Sequence, residues 1–174
     1  KHEESLRIKV KNLGHDHIDV AKSLNNIGIV YRKLGKNKEA LEKYEESVRI
    51  KVKNLGHDHI DVATSLMNIG NVYSNLGKNK EALEKYEESV RIKVKNLGHD
   101  HIDVAASYCN IGLVYRRLGE NTKALEYHNR DLEISVKNLG HDHMDVASSL
   151  LGIGNVYKAL GENEQALAKY EEAL

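Results

Sequence analysis

The chain has 174 residues, and its 26 lysines and arginines balance 26 aspartates and glutamates, so nothing in the bulk charge invites a polyanion. No apolar run is long enough to cross a bilayer, and the first residues lack the charged-then-apolar order of a secretory leader. One cysteine, Cys109, excludes an internal disulfide and suits a reducing, cytoplasmic compartment, while the absence of Pro, Phe and Trp leaves Tyr, Leu, Ile, Val and Ala to build a core.

From its start the chain is periodic. Lys1–Asn12 aligns with Lys43–Asn54, so residues 1–14 read as the second half of a helix from a preceding unit. Repeat 1 (15–56), repeat 2 (57–98), repeat 3 (99–140) and a truncated repeat 4 (141–174) follow as one continuous repeat domain. Gly14, Gly56, Gly98 and Gly140 recur at a spacing of forty-two, each closing an Asn-Leu-Gly phrase that runs into His-Asp-His. Both ends fall inside a predicted helix, which suggests a piece of a longer array. Its cut faces, Leu6, Ile8 and Val10 at one end and Leu167, Tyr170 and Leu174 at the other, are expected to support head-to-tail association.

Within a unit, each of these glycines ends one helix, and Asp16 with Asp19 predicts an N-cap and an acidic first turn for the next, starting near Ile18. This helix A runs to about Leu34, with Leu24, Ile27, Gly28, Tyr31 and Leu34 on its buried face. Gly35 ends it, and Asn37 is the expected cap of helix B. In helix B, Ala40, Leu41, Tyr44, Val48, Val52 and Leu55 keep a helical spacing while Glu39, Glu42, Lys43, Glu45, Glu46 and Lys53 face out. Gly28 in mid-helix costs about 1 kcal/mol against alanine, so its recurrence as Gly70, Gly112 and Gly154 implies close helix contact there. No strand pattern occurs. The expected fold is an all-α solenoid of antiparallel helix pairs.

Repeats 1 and 2 differ only at Lys22/Thr64, Asn25/Met67, Ile29/Asn71, Arg32/Ser74 and Lys33/Asn75. On a helix these five positions form one stripe opposite Leu24, Ile27, Gly28 and Tyr31, and variation confined to a solvent-facing stripe suggests a binding face. Repeat 3 carries Ala106, Cys109, Leu113, Arg116 and Arg117 there, and repeat 4 carries Ser148, Leu151, Asn155, Lys158 and Ala159. The stripe holds basic residues and no acidic ones. Repeat 3 also departs in helix B, where His128 and Asp131 replace the Tyr44 and Ser47 of repeat 1, and its packing is expected to be the loosest.

The phrases Leu24-x-x-Ile27-Gly28-x-x-Tyr31 and Ala40-x-x-x-Tyr44 resemble the tetratricopeptide repeat. The period of forty-two with Leu-Gly-x-Asp-His-x-Asp-Val-Ala is similar to the variety in kinesin light chains and in nephrocystin-like and NACHT or NB-ARC receptor-like proteins. Two departures from the pattern are Ile18, Ile60, Ile102 and Met144 where the family often has Pro, and the altered helix B of repeat 3. The resemblance implies a right-handed superhelix whose first helices line a concave groove, and it places the variable stripe there. An acidic or phosphorylated peptide is then the expected ligand, held by Arg32, Lys33, Arg116, Arg117 and Lys158, with Asn26, Asn68 and Asn110 available to its backbone. The terminal-carboxylate clamp of chaperone-binding members is not matched: of the positions that carry it, only Asn68 agrees.

The His-Asp-His triplets at His15, His57, His99 and His141 offer two imidazoles beside a cap with no converging further ligand, so neither metal nor cofactor is expected. Cys109, near Arg116 and Arg117, reads as a small apolar contact residue rather than a reactive thiol. Histidines and glutamates follow the repeat and imply no unique pocket, so no enzyme is expected. No exposed aromatic series offers nucleic-acid bases a platform. Three readings follow: a recognition module, such as the sensor part of a receptor-like protein; an architectural adaptor; or an engineered consensus array. The scattered changes Tyr127, His128 and Arg130 argue against the last.

Overall fold

The computed structural model describes residues 2–174, with side chains from residue 4 onward. Among the described residues every regular element is an α-helix, as the periodicity required. The helices fall into two compact units, Lys1–Asn96 and Leu97–Leu174. The first unit holds α1 (His2–Leu13), α2 (Ile18–Lys33), α3 (Asn37–Leu55), α4 (Ile60–Asn75) and almost all of α5 (Asn79–Leu97). The second holds α6 (Ile102–Arg117), α7 (Asn121–Leu139), α8 (Met144–Leu160) and α9 (Asn163–Glu172). In each, successive helices pack as antiparallel pairs and the A helices of neighbouring repeats lie side by side, α2 with α4 and α6 with α8.

Helix A begins at Ile18 as the sequence predicts, but its cap is His17 rather than Asp16. The His17 Nδ1 accepts from the Asp19 N–H at 3.2 Å, and His59, His101 and His143 do the same for Asp61, Asp103 and Asp145. Asp16 is thereby released to clamp helix B of its own repeat. It accepts from Arg49 at 2.8 Å and from Lys53, while Asn54 donates to its backbone carbonyl at 2.9 Å. Asp58 repeats the arrangement with Arg91, Lys95 and Asn96. The predicted Asn37 cap is likewise corrected: Asn37 is the first helical residue, and Lys36 stands at the cap without a side-chain bond.

Gly35 ends α2 with φ +74°, and the two bonds that close the turn run from Gly35 N–H to Arg32 O and from Lys36 N–H to Tyr31 O. That pair is the Schellman pattern, which needs a left-handed residue at this point. Leu34, read from the sequence as core, is the residue just before the glycine and is 65% exposed.

The mid-helix glycines have the role the sequence gave them. A Cβ on Gly28 would lie 2.6 Å from the Tyr44 ring, on Gly70 2.5 Å from Tyr86, and on Gly154 2.5 Å from Tyr170. The ring of helix B therefore rests on the bare backbone of helix A. Around this contact lie the cores of the first unit. In one, Val20, Ala21, Leu24 and Ile50 meet Leu6 and Val10 of α1. In another, Ala40 and Tyr44 of one repeat meet Ile69 and Val72 of the next. Each repeat thus buries its apolar face against its neighbour.

Two predictions follow from this packing. Gly70→Ala improves helix propensity by about 1 kcal/mol but drives a methyl into a fully packed ring. We expect net destabilisation of about 1–3 kcal/mol by urea unfolding; an unchanged or raised midpoint contradicts the close contact. The Lys53 and Arg49 bonds hold the Asp16 carboxyl down at about 2, and those of Lys95 and Arg91 do the same for Asp58, against an ordinary value of 3.8. A depressed carboxyl contributes stability above its unfolded value and loses it as pH falls through the folded one. Stability should therefore decline between about pH 4 and pH 2, and more shallowly in Asp16→Asn/Asp58→Asn, as urea midpoints across that range would show.

Candidate functional site

The variable stripe is not one uniformly exposed face. On α2, Lys22 and Lys33 are exposed, while Asn25, Ile29 and Arg32 are half-buried. Asn25 ties α2 to α4: its Oδ1 accepts from Ser65 Oγ at 3.3 Å and from Asn68 Nδ2 at 3.2 Å. Ile29 joins the cluster around Tyr44, Ile69 and Val72. On α4, Thr64 and Asn75 are exposed and Asn71 is half-buried, but Met67 and Ser74 are only 9% exposed each, which corrects their assignment to a solvent-facing stripe. The side-by-side packing of A helices covers part of the stripe, a contact that one helix's periodicity does not reveal. Asn26 remains exposed, and Asn68 is occupied with Asn25.

Much of the variation follows the ring of helix B instead of solvent. Tyr86 donates to Asn71 Oδ1 at 2.7 Å, and Tyr170 donates to Asn155 Oδ1 at 2.9 Å. Where the asparagine is replaced by Ile29, the position one turn on is Arg32, whose guanidinium lies beside Tyr44. Burial raises that phenol's pKa, and the arginine opposes the rise. Repeat 3 has Leu113 with Arg116, and there the ring is His128. Positions 29 and 32, and their counterparts, therefore change together as neighbours of one side chain.

In the second unit, Ala106, Ser148, Leu151, Asn155, Lys158, Ala159 and Arg117 are exposed, whereas Cys109, Asn110, Leu113 and Arg116 are half-buried. Neither Lys33 nor Lys158 meets an acidic partner among the described residues, whereas Lys22 lies 3.7 Å from Asp19. Basic residues in the last turn of α2, α6 and α8 also complement the negative end of the helix dipole.

Repeat 3 brings together three side chains that the sequence did not connect. Cys109 on α6 and His128 and Asp131 on α7 place one potential ligand atom each within 4.8 Å of one another. His128 is completely buried, and neither ring nitrogen has a hydrogen-bond partner. Its ring lies between Gly112 and Gly152, where added Cβ atoms would approach to 2.9 and 2.8 Å. Asp131 is held by Ser149 Oγ at 2.8 Å and, more weakly, by Ser135 Oγ at 3.4 Å. A cavity of about 270 Å³, lined by Cys109, Asp131, Ser135 and Asp145 among others, opens beside them. Burial and the Asp131 carboxylate push the Cys109 thiol up to about 12, so it is no activated nucleophile. Burial raises Asp131 to about 6 and, with Arg116, lowers His128 to about 4.

The His-Asp-His triplets have structural partners of their own. The second imidazole caps helix A as described, and the first pairs with helix B, His15 with Glu46 and His57 with Glu88, both at 3.0 Å. Among the described residues no helix is long and apolar enough to cross a membrane.

Stacked antiparallel helix pairs with a mid-helix glycine under each ring define the class of helical repeat proteins that act in protein–protein interaction. The tetratricopeptide repeat profile matches residues 1–53, 33–93, 61–134 and 103–174, and the chain belongs to that family. Among solved structures it is similar to BtubC (BKLC) from P. vanneervenii, at 25% identity and TM-score 0.88 over 99% of this chain and 68% of that one. It is similar also to a putative kinesin light chain from Podosopora anserina with nearly identical TPR-like repeats, at 26% identity and TM-score 0.82 over 99% and 82%. Among curated protein sequences none matches. The kinesin-light-chain-like variety suggested by the period of forty-two is thus supported by structure as well as by sequence.

The two roles of the stripe separate under mutation. Asn71→Ile removes the acceptor of the Tyr86 hydroxyl, and we expect a loss of about 1 kcal/mol in urea unfolding. A residue serving only a ligand would leave the midpoint where it was.

Proposed function

We propose that the chain is a non-catalytic, cytoplasmic peptide-recognition module whose helix-A faces take an acidic or phosphorylated segment. The observation carrying this reading is the distribution of charge. The exposed part of the variable positions offers Lys22, Lys33, Arg117 and Lys158 with no acid among them, whereas the glutamates collect on helix B. In a chain of zero net charge, such separation favours an anionic partner. Arg32 and Arg116 add guanidinium groups at the same turn, each with a buried Nε lacking a partner. A sensor region of a receptor-like protein is one setting for this activity.

A second reading, an architectural scaffold for cargo or complex assembly, is favoured by a specific observation: Asn25, Ile29, Asn71 and Met67 vary in step with internal packing. The test therefore uses only exposed positions. Lys33→Asn and Arg117→Asn both install the residue that repeat 2 carries at Asn75, so the fold tolerates them. Fluorescence anisotropy with acidic, phosphorylated and neutral peptide pools should show salt-sensitive binding of the first two. The double variant should bind about tenfold more weakly, as two exposed charge contacts of roughly 0.7 kcal/mol imply. Equal binding of neutral peptides, or no loss in the variant, would make the scaffold reading the better one.

A further inference from the structure

The geometry points to a buried site for a divalent transition metal, zinc above others, formed in repeat 3 by Cys109, His128 and Asp131 with its fourth position open to the adjoining cavity. Several observations converge on it. The three ligand atoms lie within 4.8 Å of one another. A tetrahedral ion with bonds of about 2.0–2.3 Å sets its ligands about 3.3–3.8 Å apart, so a closing of about 1 Å at the widest pair completes the set. His128 and Asp131, three residues apart, stand on one face of α7, and Cys109 meets them from α6.

The second observation is the state of His128. An imidazole with no exposure and neither nitrogen paired is an expensive thing to bury, and native interiors keep very few such groups. A lone pair held there, beside a thiol and a carboxylate, suits a Lewis acid. A purely hydrogen-bonded network would have used those nitrogens, yet Asp131 takes its bonds from Ser149 and Ser135 instead. Those two serines orient the carboxylate as outer-shell groups do around metal ligands.

The third is the pattern of replacement. At the three positions the other repeats carry Asn25, Met67 or Leu151; Tyr44, Tyr86 or Tyr170; and Ser47 or Ser89. No other repeat holds even two of the three ligand types. Two further changes clear the space. Gly152 stands where the others have Asn26, Asn68 and Asn110, and it admits the His128 ring; Ser135 replaces Lys51 and Lys93. In the first unit the buried Lys51 ammonium donates to Ser65 Oγ at 2.8 Å and fills the position. Its loss in repeat 3 removes a cation that would repel a metal and leaves a cavity of about 270 Å³ against Cys109 and Asp131. That cavity gives the ion a way in and room for a water as fourth ligand. One thiolate, one imidazole and one carboxylate are the borderline donor set that suits zinc, and cobalt(II) in its place. On binding, the Cys109 sulfur gives its proton to solvent and bonds the metal as thiolate.

The test is a cobalt(II) titration of the chain, freed of metal and with its thiol shown to be reduced, followed by absorption. Because Cys109 is the only cysteine, a thiolate-to-cobalt charge-transfer band reports this site and no histidine cluster on the surface. We expect one equivalent to give that band with the visible bands of tetrahedral cobalt, zinc to displace it, and zinc to raise the melting temperature. Cys109→Met, His128→Tyr and Asp131→Ser each restore a residue used at the same place in repeats 1 or 2, so they keep the fold. The first should abolish the charge-transfer band, the other two should weaken cobalt binding at least about tenfold, and none should be stabilised by zinc. Absence of the band in the reduced chain overturns the proposal, as does a titration unaltered in His128→Tyr and Asp131→Ser.

Discussion

An aromatic ring laid on a glycine is the contact on which each repeat depends. Gly28, Gly70, Gly112 and Gly154 leave helix A without a side chain where helix B presents Tyr44, Tyr86, His128 and Tyr170. The close approach this permits lets small residues such as Ala21, Ala40 and Ser47 complete the interface, with the Ser47 hydroxyl donating to the Ala21 carbonyl at 2.7 Å. A chain without Phe or Trp can then build a dense core from tyrosines and short aliphatic residues. The polar end of each ring fixes what its neighbours can be. A phenol finds Asn71 or Asn155, or has Arg32 beside it; an imidazole, shorter and with two nitrogens, leaves those partners behind.

The sequence disclosed the helices, their starts near Ile18, the glycine stops and the close contact at Gly28, because each rests on local periodicity or backbone geometry. It misplaced the cap by one residue. Asp16 and His17 are both plausible acceptors, and only the three-dimensional reach of Arg49 and Lys53 assigns Asp16 to helix B. It also read Leu34 as core, since the helical phase continues through the turn that exposes it. Most consequentially, it took five differing positions as one solvent face. Met67 and Ser74 are buried, and Asn25 and Asn71 are engaged, because adjacent repeats and the ring of helix B cover a side of helix A that a single helical wheel leaves open.

The cluster in repeat 3 was invisible for a different reason. The sequence reading noted Cys109, His128 and Asp131 separately, and sought metal ligands in the repeated triplets, where two imidazoles stand close in sequence. The triplets have separate partners, while the three that converge are spread over two helices. The usable signal was the coincidence of unrepeated residues: in an array this regular, departures that meet in space are informative together. Even the clamp on Asp100 is reduced in this repeat, with Lys137 retained and Glu133 standing where Arg49 and Arg91 stand elsewhere. Such a repeat combines the family's interaction scaffold with local chemistry of its own.

That the ring position dictates its neighbours is tested most directly by a double-mutant cycle on His128→Tyr and Gly152→Asn, read by urea unfolding. In the first unit Tyr44 and its counterpart pair, Asn68, coexist, whereas a Cβ on Gly152 would lie 2.8 Å from the His128 ring. Gly152→Asn should therefore be strongly destabilising beside His128 and much less so once tyrosine is in place, with a coupling of at least about 1 kcal/mol. Equal costs in the two backgrounds would contradict the account, because the residue facing the ring would then be indifferent to which ring it faces.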